Sequence, residues 1–196
     1  MEDFYDIILF LHVMSFVFMS VPLFNLIVVN ERALLGIKFN YYTDRYLENI
    51  IRHGASRCFV FQTSVFVTGI LLLIFGDLGF EELWSSWILI GKVILLFALM
   101  AMLSFVHLRL QPKIEELMST VDPDSEIPDD FVGRLKPFRV LRKKMATICL
   151  FLVVTIIILG MQVYSTYNPF ITIILIASAG IFALRVNKSL IKFGWL

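Results

Sequence analysis

The sequence predicts an all-α membrane protein, a five-transmembrane-helix bundle, and two observations carry this prediction. Hydrophobic residues make up 59% of the 196 residues and charged residues only 17%, which is more apolar surface than a single soluble core of this length can bury. The apolar residues also fall in five blocks, each reaching the roughly 20 residues that cross a bilayer. Because a backbone inside the membrane must satisfy its own hydrogen bonds, each block is predicted to be a helix.

The predicted spans cover about 5–29, 53–76, 84–108, 145–166 and 169–187 of a single membrane domain, 1–196. Glycines in the run 76–79 break the chain between spans two and three, and Asn168-Pro169 separates spans four and five. A loop of about 109–144 joins spans three and four. Its acidic centre, 122–130, is predicted to be a solvated turn, and the basic run after it is expected to lie against anionic headgroups.

The basic residues predict the orientation. Sixteen of the 17 lie around the first loop, the third loop or the C-terminal tail, and Lys92 is the exception. The positive-inside rule therefore places the N-terminus outside and the C-terminus in the cytoplasm, as a multi-pass protein of the cytoplasmic membrane. The first span follows an acidic N-terminus without the basic region of a signal peptide, so we expect it to be retained. Aromatic residues form a belt at the outer ends of the spans: Tyr5, Trp84, Trp87, Tyr164 and Tyr167.

Ionisable residues inside spans are costly, so they are the first candidates for a functional site. His12 in span one and Lys92 in span three lie at similar depth from the outer side, and they can meet if the two spans are neighbours. A neutral imidazole can ligate a haem iron, and a nearby ammonium can hold a propionate. The alternative is that Lys92 extends to the interface while His12 bonds to a neighbour. Met161 in span four is at a compatible depth for a second axial ligand.

A second candidate site lies at the cytoplasmic ends of spans two and three. His53 opens span two and His107 closes span three, and a histidine pair on adjacent helices can hold a b-type haem. Arg57 lies one turn after His53, on the same helical face. Interfacial histidines also occur as solvated polar caps. Cys58 and Cys149 lie in apolar segments and indicate small buried side chains, not a disulfide framework.

The order of these residues resembles the CopD-like superfamily, which includes the HemJ-type protoporphyrinogen oxidases. The resemblance covers about 1–166 and consists of an early histidine, a basic-led span four and these residues between them: Arg57, Gly69, Trp87 and Lys92. It implies a haem-associated site that uses His12 and Lys92. Span four lacks the Asn-Glu-x-Pro element of the HemJ type, so the resemblance implies haem binding more than porphyrinogen oxidation.

The sequence therefore predicts a b-type cytochrome-like protein with one or two haems, which passes electrons as a subunit or partner of a larger redox complex. The expected partners are the lipid bilayer, other membrane redox subunits and a quinone, with no nucleic acid. Three alternatives stay open: a HemJ-like oxidase, a CopD-like copper permease and a cofactor-free structural subunit. The eight methionines are scattered, which disfavours copper handling because a copper path needs clustered Met, Cys or His ligands.

Overall fold

The described part of the chain consists of helices joined by turns and short irregular connections, and it contains no strand. The computed structural model describes residues 2–34, 39–124, 128, 130–165 and 167–188. Five helical stretches within these ranges are long and apolar enough to cross a membrane, which confirms the predicted helical membrane character. The elements are α1 (Glu2–Leu34), α2 (Tyr41–Phe75), the single turn α3 (Glu82–Ser85), α4 (Trp87–Phe105), a π-helical segment (Val106–Leu110), α5 (Gln111–Ser119), α6 (Phe131–Met161) and α7 (Pro169–Lys188).

Four of the long helices form a ring, and the fifth packs outside it. Helix α1 packs on α2 and α6, and α4 packs on the same two helices from the opposite side, while α7 packs on α6. Helices α1 and α4 therefore face each other across a diagonal of the ring. Half of the most apolar stretch of α6 is buried inside the protein, compared with 17–22% for the other four helices. All four ring helices contribute to the apolar core: Met19, Leu23, Cys58, Val65, Leu96, Leu99, Cys149, Val153 and Ile156.

The breaks predicted from glycine and proline are confirmed. Helix α2 ends at Phe75, and a Cβ on Gly76 would lie 2.8 Å from the Tyr5 ring, so only glycine allows that close approach. Gly79 has a φ of +73°, a left-handed conformation that side chains disfavour. Helix α7 begins at Pro169, and the Asn168 side chain accepts a hydrogen bond from the Phe170 amide at 3.0 Å.

Four helical stretches are longer than a bilayer requires: α1, α2, the stretch Trp87–Ser119 and α6. Helix α2 has 35 residues, or about 52 Å, against a hydrocarbon thickness of ~30 Å. Helix α4, the π-helical segment and α5 follow one another without a break and form one rod, Trp87–Ser119, which we call the α4–α5 rod. This rod and α6 extend beyond the length of a span at the same end as α2, which we call the inner end. The opposite end, which holds the N-terminus, is the outer end. The range 109–144 is therefore largely helical, and the expected loop shrinks to the connection between α5 and α6. Apolar side chains pack this extension: Ile114, Met118, Val121, Phe131 and Leu135.

A buried ionic cluster joins α2, α5 and α6 in this extension. The Arg142 side chain is fully buried, and its Nη1 donates to Glu48 Oε2 at 2.6 Å and to Gln111 Oε1 at 2.9 Å. Arg139 bridges Glu48 at 2.9 Å and Asp44 at 3.1 Å. The expectation that the basic run lies against headgroups is therefore wrong for Arg139 and Arg142, because carboxylates of α2 neutralise them inside the protein.

Candidate functional site

A polar layer crosses the bundle just above the apolar core, toward the outer end. Each ring helix contributes to it at the same level: His12 from α1, Thr68 and Gly69 from α2, Lys92 from α4 and Gly160 from α6. Spans one and three are thus placed across the diagonal of the bundle and are not packed as direct neighbours. The layer brings His12 and Lys92 close enough to interact electrostatically.

Hydrogen bonds to α2 determine the tautomer of His12. The Thr68 hydroxyl donates to the Ser64 carbonyl oxygen at 2.6 Å, so its single hydrogen is already used. The Thr68 oxygen lies 2.9 Å from His12 Nδ1, so with the hydroxyl hydrogen on Ser64 it accepts the hydrogen of that nitrogen. In the neutral imidazole the lone pair is then on Nε2. A histidine held in this way by a second partner is the usual arrangement of a metal ligand.

Glycines stand where the two ionisable side chains meet the neighbouring helices. A Cβ on Gly69 would lie 3.3 Å from His12 Cε1, so the imidazole lies against bare backbone. A Cβ on Gly160 would lie 3.5 Å from Lys92 Nζ, so the ammonium lies beside the α6 backbone. The antiparallel pairing of α1 and α2 explains the placement of Gly69, since Tyr5 lies against Gly76 and, seven residues further along each helix, His12 lies against Gly69.

Lys92 has no carboxylate within ion-pair distance among the residues that the structure describes. Its side chain is partly buried in the outer part of a span, where an uncompensated ammonium is costly. An anionic group bound in the layer would offset that cost. The lysine is therefore a candidate to hold an acidic ligand.

These residues fit the needs of a haem in three respects. His12 offers Nε2 as an axial ligand, Thr68 fixes the ring, and Lys92 supplies a cation for a propionate. No group of three or more His, Cys, Asp or Glu side chains that could hold a bare metal ion occurs in the described ranges.

Met161 and Arg57 are not part of this layer. Met161 is 60% exposed at the end of α6, so its thioether faces away from the bundle interior, and its neighbour Gly160 faces Lys92 instead. Arg57 is exposed on α2. Among the residues that the structure describes, the layer therefore has one candidate axial ligand, His12.

The structure does not bring His53 and His107 together. His53 is exposed, and its Nδ1 lies 2.8 Å from the carbonyl oxygen of Asn49 in its own helix. The His107 ring packs edge-on against Phe59, with ring centroids 5.8 Å apart. It lines a cleft whose wall on α2 is formed by Arg52 and Ser56, not by His53. A haem held between these two histidines has no support from this arrangement.

Sequence reasoning missed two members of the outer layer as parts of a site. A lone threonine and a lone glycine are both common in a span, so neither Thr68 nor Gly160 carried a signal. Comparison with protein-family models, with curated proteins and with solved structures gave no match to this chain.

Proposed function

We propose that the chain is a membrane-embedded b-type haem protein that passes electrons as a subunit or partner of a larger redox complex. The observation that carries the proposal is His12, an intramembrane histidine whose Nδ1 is bound by Thr68 and whose Nε2 is left as the ligand nitrogen. A bound haem would supply one-electron chemistry. Lys92 neutralises a propionate, and the apolar core below the layer keeps water away from the site.

The orientation belongs to the same proposal. With the N-terminus outside and the C-terminus in the cytoplasm, the polar layer lies in the outer half of the membrane and the ionic cluster on the cytoplasmic side. Reporter fusions near residues 40 and 120 should then read cytoplasmic, and a fusion near residue 79 should read external. An external signal near residue 120 contradicts this orientation.

The test of haem binding is a spectrum of protein purified gently from its membrane. We expect one b-type haem per chain, with a reduced α-band near ~560 nm, because the ligand is an imidazole and the sequence has no Cys-x-x-Cys-His attachment site. Protein without haem bands, after expression with added haem precursor, overturns the proposal.

A second function, a HemJ-like porphyrinogen oxidase, is favoured by one specific observation. His53 does not line the cleft that His107 lines, so the described residues offer one candidate haem site, at His12. A single haem in the outer half of the membrane cannot pass electrons from one side of the membrane to the other. Membranes that contain the chain should then oxidise protoporphyrinogen faster than membranes with His12→Ala. Equal rates leave the electron-transfer function as the proposal.

A further inference from the structure

A cleft opens at the inner end, where the α4–α5 rod is distorted. Pro112 has no N–H, so it cannot continue the regular helical hydrogen bonds, and the chain before it widens into the π-helical segment Val106–Leu110. The Gln111 amide donates to the Val106 carbonyl oxygen across this wider turn. The cleft has a volume of about 340 Å³, and its walls are Arg52, Ser56, His107, Gln111, Pro112 and Glu115.

Two side chains of this cleft have buried polar atoms with no hydrogen-bond partner in the described part of the protein: His107 Nδ1 and Gln111 Nε2. Gln111 is 3% exposed. Its Oε1 accepts from Arg142 Nη1 at 2.9 Å, and because arginine only donates, the amide cannot be flipped. The Gln111 NH₂ group is therefore fixed as an unused donor, a costly state that a bound acceptor would relieve.

The charges at the cleft indicate a neutral ligand. Arg52 Nη1 lies 3.4 Å from Glu115 Oε1, so the two charges offset each other. The unused groups are an amide donor and an imidazole nitrogen that donates or accepts according to its tautomer. A carbonyl oxygen on the ring of a neutral ligand can accept a hydrogen bond from Gln111 Nε2. In the reduced form of such a ring the carbonyl becomes a hydroxyl, which can donate a hydrogen bond to His107 Nδ1.

The neighbouring surface indicates an apolar tail on that ligand. Leu108 is 67% exposed beside His107, and Val60 is 63% exposed on α2. Both lie toward the predicted span from the cleft, where exposed apolar side chains face lipid. The volume is at the small end for ligand pockets and suits one substituted ring.

We propose that this cleft binds the head group of a membrane quinone, with the tail along the exposed face of Val60 and Leu108. Gln111 Nε2 is enclosed by the protein, and the quinone carbonyl oxygen accepts from it once the side chains of the cleft move apart. The site lies at the opposite end of the bundle from the His12 layer and shares no residue with it. The inference goes beyond the proposed haem function, and quinone binding can be measured whether or not haem is present.

The experiment is calorimetric titration of decylubiquinone into the full chain in phosphatidylcholine nanodiscs, with empty nanodiscs as the reference for partitioning. We expect saturable binding at one site per chain. Gln111→Glu keeps an acceptor for Arg142 but replaces the amide donor by a carboxylate oxygen, and His107→Phe keeps the packing on Phe59. Each should weaken binding about tenfold or more.

Matched controls are available at the same depth. His53→Phe removes the exposed histidine of α2, and Glu116→Gln removes an exposed carboxylate beside Glu115; both should change the affinity less than about twofold. Ser56→Phe fills the cleft from a position whose hydroxyl bonds only within α2, so it should abolish binding without touching the ionic cluster. Thermal unfolding of each variant separates loss of the site from loss of the fold.

Three results overturn the proposal: partitioning without saturation, equal affinity in wild type and Ser56→Phe, or equal affinity in wild type and Gln111→Glu. Competition by phosphatidylglycerol, added to the nanodiscs in place of part of the phosphatidylcholine, also overturns it, because the cleft would then hold an anionic lipid headgroup. Saturable binding that Ser56→Phe and Gln111→Glu both lose, with the haem spectrum unchanged, supports it.

Discussion

The outer polar layer and the inner ionic cluster both hold buried polar side chains, but they differ in how those side chains are satisfied. In the inner cluster two arginines meet two carboxylates and an amide at distances of 2.6–3.1 Å. In the outer layer, Lys92 has no carboxylate partner among the described residues, and His12 has one side-chain partner, Thr68. The inner cluster balances its charges within the chain, whereas the outer layer does not.

This difference separates structural charge from functional charge. A buried ion pair that is complete needs no ligand, and its role is to hold helices in one arrangement. An intramembrane cation without a partner is costly unless something else supplies the negative charge. The contrast therefore predicts that variants of the two buried arginines in the inner cluster change stability, while variants of the outer layer change haem binding.

The largest effect is expected at the inner cluster. Arg142→Met leaves Glu48 buried with only Arg139 as its cationic partner, and should lower the free energy of unfolding by about 3 kcal/mol or more. Arg134→Met is the control, since its pair with Asp130 is exposed and should contribute less than about 1 kcal/mol. Chemical denaturation in detergent measures both. Equal effects of the two variants would show that the cluster does not hold α2 to α6.

The next effect is expected at Gly69. Gly69→Val places atoms where the His12 ring lies, within 3.3 Å of Cε1, and should displace the imidazole. Overpacking of about 1–3 kcal/mol corresponds to roughly 5–150-fold weaker haem binding. Gly180→Val is the control on α7, where the nearest atom, on Phe151, is 3.7 Å from the added Cβ. Haem content per chain after purification is the measurement, and unchanged content in Gly69→Val argues against His12 as the ligand.

A smaller effect is expected from Thr68→Val, which keeps the shape of the side chain but removes the acceptor for His12 Nδ1. Loss of such a supporting hydrogen bond typically weakens metal binding about tenfold or somewhat more. Thr155→Val is matched to it, because the Thr155 hydroxyl bonds only to the Phe151 carbonyl oxygen of its own helix. Haem loss on dilution into apomyoglobin compares the two. Similar loss rates would mean that Thr68 does not orient the ligand.

The smallest effect is expected from Lys92→Met. Removing a cation near the haem should favour the oxidised form and lower the reduction potential by on the order of 50 mV, with the axial ligand kept. Redox titration followed at the α-band measures this shift. Lys188→Met, at the inner end of α7, should leave the potential unchanged. A higher potential in Lys92→Met than in wild type would contradict the assigned role.

The two regions were predictable to different degrees. Hydropathy and the helix breaks at Gly76 and Pro169 were sufficient to predict the helical spans. A backbone in lipid must satisfy its own hydrogen bonds, which leaves few structures other than a helix. His12 and Lys92 were visible as ionisable residues in apolar runs. The inner cluster was not, because Glu48 and Arg142 are separated by 94 residues, and charges near a membrane surface normally remain solvated.

The central claim is most directly tested by the reduced-minus-oxidised spectrum of three variants beside wild type: His12→Ala, His53→Ala and His107→Ala. The structure places one histidine in the outer layer and leaves the other two apart at the inner end. We predict that His12→Ala loses the b-type haem bands while the other two variants keep them at wild-type intensity. Full haem content in His12→Ala, or its loss in both inner variants, would contradict this account.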